Sequence, residues 1–144
     1  MADIEIPIAK PWLPPFAEFT ALASDIFDSG YVSNFSKYCK LLEERVSDVL
    51  GMDVLSVSSC DTGLTLAWRA LGIQKGEVIA PSFTFASTIN SISWNGLTPV
   101  FADIDPNTLC LDPDAVRALI TPATVGIAAT HCFGQPVSEK SNKN

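Results

Sequence analysis

The chain has 144 residues, 47% hydrophobic and 17% charged, with a net charge of −7. That is about one domain's worth of sequence with apolar material for a real core, which excludes wholesale disorder. The acidic balance excludes a nucleic-acid partner, no apolar run reaches the ~18 residues of a membrane span, and the opening MADIEIPIAKPW lacks the features of a signal peptide.

The first fourteen residues, punctuated by Pro7, Pro11 and Pro14, predict an extended arm. Phe16, Phe19, Leu22, Ala23, Ile26 and Phe27 then recur at helical spacing, and Gly30 is a stop. Residues 31–35 read as a connector. Ser36 can cap a second helix, carrying Leu42, Val46, Val49 and Leu50 on one side and ending at Gly51. From there short apolar runs alternate with helix-length segments. Val54–Ser58, Val78–Ala80, Pro99–Ala102 and Val125–Ala129 read as strands. Leu64–Leu71, residues 85–95 and Asp112–Ile120 read as helices, the last with Asp112 as cap and Pro113 at its first position. Such alternation predicts an α/β fold with a mostly parallel sheet, right-handed crossovers and an uncovered face or edge. The sequence divides into a domain over residues 1–136 and a polar tail over 137–144.

In an open parallel sheet, ligands sit at the carboxyl ends of strands. Three such ends carry chemistry. The turn from Ser58 to Gly63 opens a helix with free N–H groups and hydroxyls, which suits either an anion or an ordinary N-cap. Pro81–Phe85 carries two aromatic rings that suit either a flat ligand or core packing. Thr130–Pro136 carries His131, whose readings are general base, ligand contact or satisfied structural residue. A Cys60–His131 nucleophilic pair lacks a third orienting group. Cys39, Cys60, Cys110 and Cys132 form no C-x-x-C pair, and one histidine gives zinc little to bind. Reduced, mostly buried thiols in a cytoplasmic protein, and no metal, are the expectation.

Taken in order, these segments resemble the DegT/DnrJ/StrS family of sugar aminotransferases. The matching stretches include Ile6–Pro11, Ser29–Asn34, Val57–Ser59, Leu64–Ile73, Gly76–Thr88, Thr98–Pro106 and His131–Pro136. Each is weak alone, and their ordered sum is specific. The resemblance implies the N-terminal part of a fold-type-I large domain and pyridoxal 5'-phosphate as cofactor. It implies transfer of an amino group, typically from glutamate, onto a nucleotide-linked keto-sugar, for amino-sugar, cell-surface polysaccharide or antibiotic-sugar synthesis. It also implies a homodimer. By resemblance the turn at Asp61 and Thr62 holds the cofactor phosphate, Phe85 stacks on its ring, and the connector with Tyr31 and Ser33 lies near the substrate.

Two departures accompany it. Where the family has Gly-Thr or Ala-Thr, this chain has Cys60-Asp61. The family's lysine that carries the cofactor, and its aspartate for the pyridine nitrogen, lie beyond the matching segment, which gives way at Val137. None of the six lysines (Lys10, Lys37, Lys40, Lys75, Lys140, Lys143) replaces it. The expectation is therefore an inactive, truncated fragment that supplies no catalytic residue. The alternatives are a non-catalytic interaction half-domain and a fragment of the family's sugar dehydratase branch, which uses histidine in place of the lysine.

Overall fold

The structure is a computed structural model that describes residues 10–138. Most of the expected N-terminal arm, and residues 139–144 of the expected tail, lie outside that range. The chain forms two compact units, residues 1–56 and 57–144.

The first unit is helical. Helix α1 (Phe16–Ser29) ends at Gly30, whose φ of 63° is the left-handed cap anticipated from its position. Helix α2 (Lys37–Leu50) follows. Ser36 precedes it in an extended conformation, but its side chain makes no capping hydrogen bond. Polar clasps hold this unit. Asp25 accepts hydrogen bonds from Lys37 Nζ and the Tyr38 hydroxyl, each at 2.8 Å. Glu43 Oε1 accepts from the Ser56 amide at 2.9 Å and its hydroxyl at 2.7 Å. No residue of either helix is buried.

The second unit carries the sheet. Helix α3 (Cys60–Ala70) leads to β1 (Glu77–Pro81), α4 (Ala86–Trp94), β2 (Thr98–Ala102), α5 (Pro113–Leu119) and β3 (Thr124–Ile127). All pairings are parallel, in the order β2-β1-β3. The chain moves from β1 to β2 in one direction and back past β1 to β3 in the other. Crossovers of one hand then put α4 and α5 on opposite faces. The core agrees. Val78 and Ala80 pack with Ile92 of α4 and Leu97, while Ile79 packs with Ala102, Leu111 and Val116 of α5. The central strand is buried on both faces, which is why it shows no polar alternation. The outer strands are half open: Phe101, Val125 and Ile127 are 54%, 39% and 48% exposed.

Close packing constrains Gly126. A Cβ on Gly126 would stand 3.0 Å from the Trp68 ring, so the indole rests on bare backbone. One expected strand is absent: residues 54–58 form no ladder. The Ser56 amide that a strand would offer to a neighbour is taken by Glu43 of α2, which also accepts the Ser56 hydroxyl. Helix α3 also starts at Cys60, four residues ahead of the apolar periodicity. The thiols are less buried than expected: only Cys110 is buried, Cys39 and Cys132 are intermediate, and Cys60 is exposed.

Candidate functional site

The carboxyl end of the sheet gathers three segments of the second unit. The first is the start of α3. Ser59 caps this helix, accepting the Thr62 amide at 3.2 Å, so the ordinary N-cap is real. The first intrahelical bond runs from Gly63 N–H to the Ser59 carbonyl at 3.0 Å, and the Cys60 and Asp61 amides precede it. The Thr62 hydroxyl lies 3.2 Å from that of Ser58 and 3.0 Å from that of Ser59. This exposed hydroxyl cluster beside free amides can accommodate an anion. Asp61 is half-buried. Its Oδ1 is shut from solvent and has no hydrogen-bond partner among the described residues.

The second segment follows β1. Phe85 precedes α4 in an extended conformation and is 80% exposed. A ring so open contributes little to a core among the described residues. Phe83 instead meets Phe133 edge to face, with centroids 6.3 Å apart. The third segment follows β3. Thr84 ties the second and third together, its hydroxyl lying 2.9 Å from that of Thr88 and 3.3 Å from that of Thr130. His131 Nδ1 accepts the Val137 amide at 3.0 Å, which leaves Nε2 to carry the proton of the neutral ring.

These segments enclose two adjoining clefts. One of about 310 Å³ is bounded by Ser82–Phe85 and Thr130–Phe133. The other, about 410 Å³, runs from Cys60 past Thr88 and Ser91 to Thr130 and His131. Cys60 at the helix start and the Phe85 loop thus flank Thr130 and His131, which line both clefts. Cys60 and His131 share a cleft wall, but no hydrogen bond joins them among the described residues. Tyr31 and Ser33 belong to the first unit. There the Tyr31 hydroxyl donates to the Asn34 carbonyl at 3.2 Å. Sequence reasoning missed the Thr84–Thr130 link. The i, i+4 spacing of Thr84 and Thr88 signals only the shorter of the two contacts. Among the described residues no three His, Cys, Asp or Glu side chains gather to hold a metal, and no helix is long and apolar enough to cross a membrane.

Known proteins are similar to this chain in sequence and fold. Over 137 residues the chain is 36% identical to the dTDP-4-amino-4,6-dideoxy-D-glucose transaminase of Escherichia coli, a match covering 94% of this chain and 37% of that protein. Among solved structures it is similar to DesI, determined in the presence of its TDP-sugar product, with a TM-score of 0.75 and 40% identity over 86% of this chain and 32% of that one. It is also similar to NtdA from Bacillus subtilis with bound cofactor PMP, with a TM-score of 0.78 and 30% identity over 83% of this chain and 28% of that one. The chain spans about a third of the length of these relatives. Its sheet and helices form part of the fold of the pyridoxal-phosphate-dependent sugar aminotransferases. Residues 16–141 match the DegT/DnrJ/EryC1/StrS aminotransferase family, and the chain belongs to it.

Proposed function

We propose that this chain provides the cofactor-binding end of a pyridoxal-phosphate-dependent aminotransferase acting on nucleotide-linked keto-sugars. Glutamate is the proposed amino donor, a homodimer the working form and the cytoplasm the setting. Residues 1–136 would be the domain and 137–144 a polar tail. One observation carries the reading: an 80% exposed Phe85 and a hydroxyl-lined helix start lie around the same end of one parallel sheet. A flat ring offered to a flat ring, and a helix N-terminus offered to a phosphate, match the two ends of the cofactor.

Each side chain has a part. Phe85 would stack on the pyridine ring. The Ser58, Ser59 and Thr62 hydroxyls and the Cys60 and Asp61 amides would face the phosphate, and these donors fit an anion. The Asp61 carboxylate does not, because a like charge opposes a phosphate. Tyr31 and Ser33 of the connector would face the sugar substrate. When bound, pyridoxal phosphate supplies the electron sink that amino transfer needs. None of the described lysines (Lys10, Lys37, Lys40, Lys75) lines either cleft. Residues 10–138 therefore offer binding and stacking, and the amine that carries the cofactor has to be sought outside them.

Equilibrium dialysis with pyridoxal phosphate tests the stacking role. Phe85→Ala should weaken binding by about three- to tenfold, the value of an aromatic pair. Phe27→Ala, at an equally open ring of α1, should leave it unchanged. Equal loss in both variants, or in neither, would sink the assignment.

A further inference from the structure

We infer that Asp61 is a specificity-determining residue, an internal anion that sets the start of α3 against the phosphate of its cofactor. The inference rests on the cofactor reading above and deepens it. The positive end of α3 is worth roughly half a charge, concentrated in the first turn. Asp61 lies in that turn, one residue before Thr62. Its Oδ1 is shut from water and meets no donor among the described residues, which leaves the helix end as the favourable field for that oxygen. The Cys60 and Asp61 amides and three hydroxyls could receive an anion, yet they share the field of the helix end with the Asp61 carboxylate. A phosphate arriving there gains hydrogen bonds and meets a carboxylate in the same helical turn. Phe85 is on another loop, so contacts to the cofactor ring are separate from this opposition.

The discrimination is therefore directed at the phosphate and not at the ring. A first-turn acid that serves only its own helix would leave phosphate affinity untouched on replacement. The test uses the full 144-residue chain, followed by amide NMR at Cys60–Thr62 and at Phe85, with circular dichroism to check the fold. The probes are inorganic phosphate, pyridoxal phosphate and pyridoxal. In the unaltered chain pyridoxal phosphate should bind no tighter than pyridoxal. Asp61→Asn and Asp61→Thr should each raise affinity for inorganic phosphate and pyridoxal phosphate by about tenfold or more, with pyridoxal unchanged. Inorganic phosphate affinity that is equal or lower in both variants, a complete lack of response at Cys60–Thr62 included, overturns the inference. So does clearly tighter pyridoxal phosphate than pyridoxal in the unaltered chain, a readout that needs no variant to fold. A phosphate gain at Cys60–Thr62 with no response at Phe85 to either pyridoxal form supports the opposing carboxylate and removes the cofactor reading. A Phe85 response without the phosphate gain does the reverse.

Discussion

The two units are held together by different physics. In the sheet unit, Val78, Ile79 and Ala80 are wholly buried, with apolar clusters on both faces of one strand. In the helical unit neither helix has a buried residue, and Phe16 and Phe27 are 80% and 83% exposed. Its order rests on Asp25 with Lys37 and Tyr38, and on Glu43 with Ser56. Burial is nondirectional and strong, whereas exposed polar contacts are directional and weak. The unit that positions the proposed cofactor end is thus the one whose geometry is fixed by a core. The connector with Tyr31 and Ser33 belongs to the unit fixed by clasps.

The comparison predicts where damage is severe. Ile79 is fully buried on the central strand, so Ile79→Ala should cost about 2–5 kcal/mol in urea unfolding. Phe27→Ala on α1 should cost within about 0.5 kcal/mol. Similar costs at both positions would erase the distinction between the units. A smaller effect belongs to Gly126, where the Trp68 ring lies 3.0 Å from the place of a Cβ. Gly126→Ala should cost about 1–3 kcal/mol by overpacking. Trp68→Leu should recover part of it, and a simple sum of the two costs would mean that the ring is not what excludes the methyl group.

Sequence legibility follows the same division. The run at Val78–Ala80 was readable because burial on both faces leaves an apolar signature that needs no partner to be seen, and Pro99–Ala102 was readable as a short apolar run although β2 is half open. The α5 start was readable because Asp112 accepts the Asp114 amide two residues away, a local bond. The run at 54–58 misled because its fate is decided at Glu43, thirteen residues earlier. At the site, aromatic rings at a strand end were visible, but Phe83 and Phe85 look alike in sequence, and only the structure shows that Phe83 meets Phe133 while Phe85 stands 80% exposed. The Thr84–Thr130 contact spans 46 residues and leaves no periodic trace. Asp61 was visible as a departure from its family. That one of its oxygens is shut from water and meets no donor among the described residues is a fact of three dimensions.

The mildest prediction concerns the clasp itself. The Ser56 amide, and after it the Ser56 hydroxyl, donate to Glu43 and hold its carboxyl below its ordinary value of 4.5. A depressed carboxylate contributes stability that is present above about pH 4.5 and is lost as pH falls through the folded value. Acid should therefore loosen residues 53–56 from α2 before it reaches the sheet, where no ionisable side chain lies in the two apolar clusters. The Ser56 amide shift in NMR reports this directly, with an inflection below pH 4.5 in the unaltered chain. Glu43→Gln should abolish the inflection. Ser56→Ala should move it only part of the way back, because the amide is the larger cause and survives the substitution. An inflection at or above 4.5 in the unaltered chain would show that Ser56 does not clasp Glu43 in solution, and the helical unit would then need another source of order.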